Sequence, residues 1–221
     1  MEESNERERE EGVVEKEEES CGRYLDLTSF QLHDLGEVEI PEGLVELDLT
    51  ANRLSTLDPR IGLLSGLKKL SLRQNLFHDD GVEPISAWDS ISGLQELVLR
   101  DNKLTKIPDV GIFKSLLVFD VSFNEISSMN GVSKVSNTLK ELYVSKNEVS
   151  KIEEIEHLHA LQILELGSNR LRASDGKLAN IDKFTRAVAR TKPHQGCELV
   201  WVKMYQKIKP SEQPSDIHGR V

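Results

Sequence analysis

Several things are scarce in this chain of 221 residues, and each scarcity removes a class of protein. Cysteine occurs twice, as Cys21 and Cys197, which is too few for a disulfide framework. No run of about eighteen apolar residues exists, so neither a transmembrane helix nor a membrane partner is expected. The opening "MEESNEREREEGVVEKEEES" lacks the apolar stretch of a signal peptide and the acid-poor character of a transit peptide. A reducing home in nucleus and cytoplasm is the expectation. Aromatic residues make up only 5% of the chain, so a core must be built from aliphatic side chains. Positive charge is outnumbered, 28 Lys and Arg against 38 Asp and Glu. The resulting net charge of −10 argues against nucleic acid, whose phosphates demand a basic face.

The charge is uneven. Residues 1–20 hold ten acids and three bases, whereas residues 173–221 hold five acids and nine bases. The first stretch has too few large apolar groups to offset chain entropy, so 1–21 is expected to be an acidic disordered tail. A solvated tail is the plain reading, and a specific acidic interaction arm is the sharper one.

What the chain has in abundance is a spacing. Asparagines stand at 52, 75, 102, 124, 147 and 169, each inside the frame L-x-x-L-x-L-x-x-N-x-L. The units are "LVELDLTANRL", "LKKLSLRQNLF", "LQELVLRDNKL", "LLVFDVSFNEI", "LKELYVSKNEV" and "LQILELGSNRL". One such match is weak; six at intervals of 22 to 27 residues identify leucine-rich repeats. Each L-x-L is read as a short strand whose alternate side chains enter the core, Leu47 with Leu49, or Leu142 with Val144. The amides of Asn52, Asn75, Asn102, Asn124, Asn147 and Asn169 satisfy backbone groups where the chain leaves the strand. Later apolar positions such as Ile126, Met129 and Val132 bury the returning segment. Units this short leave room for 3₁₀ turns rather than full helices there. The longest unit carries "HDDGVEPISAWDS" as a convex bulge. The segment "RYLDLTSFQLHDL" puts Phe30 near the asparagine position and reads as a degenerate first repeat acting as a cap. The fold class is therefore an α/β solenoid over 22–172, with a parallel concave sheet and short 3₁₀ turns on the convex side.

Outward residues between the leucines decide what the concave face binds. The central column is Asp48, Ser71, Val98, Asp120, Tyr143 and Glu165. On one side run Glu46, Lys69, Glu96, Val118, Glu141 and Ile163, and on the other Thr50, Arg73, Arg100, Ser122, Ser145 and Gly167. The last three units of the central column present acid, aromatic, acid, the composition of a protein-binding surface. Asp48, Glu96, Asp120, Glu141, Tyr143 and Glu165 are the candidate partner-binding residues. Merely solvated strand positions are the competing reading for any one of them.

Catalytic machinery is missing. There is no phosphate-binding glycine loop, nucleophile elbow or paired metal motif. "HLHAL" sets His157 and His159 two apart with no third ligand near, so no metal and no cofactor are expected. Acids on a shallow, wet sheet should keep ordinary pKa values, and an enzyme is not expected.

The units "LELGSNRLR" and "FDVSFNEISSMNGVSK", in that order, resemble the leucine-rich-repeat regulatory subunits of protein phosphatase 1 over about residues 44–172. That resemblance implies a monomeric scaffold whose acidic and aromatic concave residues bind the phosphatase catalytic subunit. Asp120 in "FDVSFN", Tyr143 in "LYVSKN" and Glu165 in "LELGSN" fall on the family's contact positions, with tyrosine replacing phenylalanine at 143. Other short-repeat proteins, of splicing-factor or tubulin-chaperone type, are the alternatives, as is a non-functional truncated isoform.

The spacing ends after Arg172. Codons permitted for Gly176–His218, read from the second base, can spell "LQELWLGRNRI" and "IKKLSLQSNRL", two further units in phase with Asn169. The expectation is a change of frame between Arg172 and Gly176, arising from alternative splicing, a mis-set intron boundary or a sequence error. Residues 173–221 would then be a non-repeat, poorly ordered tail.

Overall fold

The computed structural model describes residues 23–135, 137–155 and 158–171, together with the backbone strand at 201–203. The expected tails over 1–21 and 173–221, and with them the change of frame, lie outside the described residues apart from that strand.

Each repeat contributes one three-residue strand. β1 is Tyr24–Asp26, β2 Glu46–Asp48, β3 Lys69–Ser71, β4 Glu96–Val98, β5 Val118–Asp120, β6 Glu141–Tyr143 and β7 Ile163–Glu165. They pair in parallel in chain order, and β8, Trp201–Lys203, continues the sheet along β7. Sequence predicts strands 46–49, 69–72, 96–99, 118–121, 141–144 and 163–166, and each appears one residue shorter. The degenerate first repeat joins the sheet as well, with Leu25 opposite Leu47.

The register puts equivalent residues side by side: Leu47, Leu70, Leu97, Phe119, Leu142 and Leu164 form one continuous buried row. A second row, Leu49, Leu72, Leu99, Val121, Val144 and Leu166, lies behind it. Three buried phenylalanines, Phe77, Phe113 and Phe119, fill the space between sheet and return segments.

The return segments are short. They run as 3₁₀ turns at Pro59–Leu63, Glu83–Ala87, Asp89–Ile91 and Val132–Lys134, plus one α-helical turn, α1, at Asp79–Val82. Ile126, Met129 and Val132 are fully buried, as the repeat frame requires. In the bulged unit, Gly81 is obligatory, because a Cβ there would lie 2.0 Å from the Ser55 carbonyl oxygen.

The asparagine ladder stitches successive units together. Asn124 donates from Nδ2 to Leu99 O and Val121 O, both at 3.0 Å, and accepts at Oδ1 from Leu104 N at 3.0 Å. The same three-way pattern is built by Asn52, Asn75, Asn102, Asn147 and Asn169. Each amide thus joins its own repeat to the one before.

The residue preceding each of these asparagines takes a left-handed conformation. Ala51, Gln74, Asp101, Phe123, Lys146 and Ser168 have φ between 52° and 59°. None is glycine, so each bears a backbone cost that the ladder offsets.

Candidate functional site

Because side chains alternate along a strand, the first and third residue of each three-residue strand face outward while the middle one enters the core. Parallel pairing in register then lines the outer residues up strand by strand. One row reads Asp26, Asp48, Ser71, Val98, Asp120, Tyr143, Glu165. The other reads Tyr24, Glu46, Lys69, Glu96, Val118, Glu141, Ile163. All six candidate partner residues lie on this face and are half-buried. Asp120, Glu141, Tyr143 and Glu165 form one contiguous group on β5, β6 and β7. Asp48 stands three strands from Asp120, and Glu96 one strand from it in the other row.

The last three residues of the third column depart from the sequence expectation. Ser122, Ser145 and Gly167 are buried, not open to the face. The chain bends inward after the strand so that the asparagine amide can reach the core, and small residues in this column follow it.

Several acids on the face have an intrachain task. Asp26, Asp48 and Asp120 each accept at Oδ1 from the backbone N–H two residues on, at 2.9, 2.8 and 2.8 Å. Asp120 accepts from Ser122 Oγ as well and lies 3.9 Å from Arg100 Nη1. Their carboxylates therefore close the turn at the strand's end while presenting charge to solvent.

Unit six breaks that pattern. Tyr143 stands where Asp120 stands one strand earlier, so the turn loses its carboxylate. Ser145 Oγ, the counterpart of Ser122 Oγ, is buried without a hydrogen-bond partner. In exchange the face gains a phenol, whose Oη donates to Glu141 Oε2 at 2.8 Å. Burial pushes the Tyr143 phenol well above its ordinary pKa, helped by that hydrogen bond and by the charges of Glu141, Glu165 and Asp120. Ordinary pKa values were the expectation for an open face, and Tyr143 departs from it because its ring is flanked on three sides.

Sequence reading passed over one feature at the strand ends. Arg100 lies with its guanidinium carbon 4.1 Å from the Phe123 ring centre, and Lys146 Nζ lies 4.4 Å from the same centre. The signal was present as "SFNE", an aromatic in a position that is otherwise small or polar. Among the described residues no group of His, Cys, Asp and Glu could hold a metal ion. Nor is any described helix long and apolar enough to cross a membrane.

No family model matches the chain. Among curated proteins it is 69% identical over 162 residues to a "Protein phosphatase 1 regulatory inhibitor subunit PPP1R7 homolog" of Arabidopsis thaliana, covering 73% of this chain and 48% of that protein. It is 28% identical to lumican of Bos taurus over 77% of this chain and 51% of lumican. The chain thus spans about half the length of these relatives. Among solved structures it matches an internalin of Listeria monocytogenes with a TM-score of 0.55 and 23% identity, over 74% of this chain and 52% of that one. The fold is a leucine-rich-repeat solenoid, and the resemblance to phosphatase 1 regulatory subunits holds at 69% identity.

Proposed function

We propose that the chain is a regulatory scaffold of protein phosphatase 1 that holds the catalytic subunit against its open sheet face at β5, β6 and β7. The observation that carries this reading is the 69% identity to a named phosphatase 1 regulatory inhibitor subunit across most of the chain. The geometry supports the location: Asp120, Tyr143 and Glu165 are register neighbours, and Tyr143 is the aromatic anchor between two carboxylates. Binding energy at interfaces concentrates on such partly desolvated aromatics, while rim charges steer and orient. Regulation in this reading works by contact along the open sheet face.

The test is recovery of partners from cell extract on the immobilised full chain, with Tyr143→Ala alongside. Phosphatase 1 catalytic subunit recovered by the wild type and depleted on the variant supports the proposal. A splicing-factor or tubulin-chaperone assembly recovered instead replaces the partner, and equal recovery on both proteins moves the surface elsewhere.

A further inference from the structure

The chain is acidic overall, yet three cations gather along one rim of its sheet. Arg73 and Arg100 are register neighbours just beyond β3 and β4, and Lys146 follows β6, so their side chains share one rim of the sheet. Between Arg100 and Lys146 sits Phe123, with both cations within 4.4 Å of its ring centre. Two cations gathered on one ring repel each other, and the ring's quadrupole returns only about 0.5–1 kcal/mol per contact at an exposed site. Neither Arg73 nor Lys146 has a carboxylate partner among the described residues, and Arg100 reaches Asp120 only at 3.9 Å. Asp101 and Asp120 adjoin the rim, and Glu148, on the turn after Lys146, is engaged by Arg170. Phe123 holds its place at φ 56°, a conformation costly for an aromatic residue.

The geometry points to this rim, Arg73, Arg100, Phe123 and Lys146, as the docking site for an acidic peptide segment, namely residues 1–20 of this same chain. Charge complementarity selects the occupant: that stretch carries ten acids against three bases, while the rim gathers three cations, Arg73, Arg100 and Lys146, along neighbouring strand ends of an acidic chain. Length permits it. Twenty residues reach up to about 70 Å when extended, and the rim's centre lies three to five strand spacings, roughly 15–25 Å, from β1. The rim adjoins the strand ends that carry Asp120 and Tyr143, so an occupied rim would crowd the same units that carry the proposed partner face. This inference goes beyond the phosphatase reading and its test needs no phosphatase.

The experiment is zero-length carbodiimide coupling of carboxylates to amines in the full chain, mapped by mass spectrometry on the monomer band. Lys151, equally exposed but away from the rim, serves as the internal reference. At low ionic strength, amide links from the glutamates of 1–20 should form at Lys146 about fivefold more often than at Lys151, and the preference should vanish in 1 M salt, where screening acts within about 3 Å. The double variant Arg73→Gln with Arg100→Gln should reduce the Lys146 links about threefold, and it is read alongside Arg73→Gln alone, which replaces an exposed side chain and should reduce them less. Equal linking at Lys146 and Lys151 overturns the proposal. Links confined to a crosslinked dimer band overturn it too, by assigning the rim to a second copy's arm.

Discussion

Tyr143 and Glu141, two residues apart on β6, point to the same side of the sheet, and the phenol donates to the carboxylate at 2.8 Å. Glu141 therefore acts first as the residue that orients Tyr143 and only second as a charge offered to a partner. Removing the ring by Tyr143→Ala should weaken catalytic-subunit binding by about 2 kcal/mol or more, roughly thirtyfold. Tyr143→Phe, which keeps the ring, should cost less than about 1 kcal/mol. Calorimetric titration with purified catalytic subunit checks both. An equal loss in both variants would mean that the hydroxyl, not the ring, is the anchor.

The same pair sets a pH expectation. The folded phenol is pushed above its unfolded value near 10, so its contribution to stability is complete below about pH 10 and is lost only as pH rises through the higher folded pKa. Tyrosinate absorbance of wild type minus Tyr143→Phe, followed from pH 8 to 12, should show this group ionising later than a free tyrosine.

At the acid end the relevant pair is Asp58 with Arg60. Hydrogen bonding to the Arg60 side chain holds the Asp58 carboxyl below the ordinary range, against the opposing effect of burial. Arg60 also donates to Val38 O at 3.1 Å and to Leu35 O, tying the first repeat to the second. A lowered folded pKa gives stability that is present above about pH 4 and lost as pH falls through the folded value. Thermal midpoints measured from pH 6 to 2.5 should fall, and Asp58→Asn should start lower at pH 6 and fall less steeply.

The asparagine ladder should be graded along its length. Asn124→Ala would strand the Leu104 N–H in the interior and leave the Leu99 and Val121 carbonyls only the amides of Asn102 and Asn147, costing about 2–3 kcal/mol. Asn169 makes the same bonds but is only half-buried, so water can replace them, and Asn169→Ala should cost about 1 kcal/mol. Urea denaturation of the two variants gives the comparison. Equal losses would show that burial is not what gives the amide its weight.

Backbone conformation makes a further prediction at Ala51, where φ is 57°. Ala51→Gly should leave stability within about 0.5 kcal/mol, as relief of the left-handed backbone offsets greater chain entropy. Ala51→Val should lose about 1–2 kcal/mol, because a β-branched residue resists that conformation. Thermal melts of both variants decide the matter. Valine tolerated as well as glycine would deny the strain.

Much of this architecture is a property of the sequence alone. A leucine every second or third position, reset at each asparagine, dictates six strands, because only that geometry buries all the leucines and satisfies every turn amide at once. The same logic placed the outward residues of the face, since a side chain between two buried neighbours on a strand has nowhere else to point. Pairing of neighbouring repeats then follows from their near-equal length, which leaves little freedom of register.

What the tertiary structure alone decided is how those outward residues use one another. Nothing in "LYVSKN" announces that Tyr143 closes on Glu141, or that Ser145 loses the acceptor that Ser122 keeps. The inward bend of Ser122, Ser145 and Gly167 depends on the left-handed residue before each asparagine, a conformation that side-chain patterning does not encode. The stacking of Arg100 and Lys146 on Phe123 joins residues 23 positions apart on each side, brought together only because repeats of nearly equal length stack. Periodicity in the sequence determines which face a residue occupies, whereas side-chain contacts within and across repeats determine its orientation and its partners.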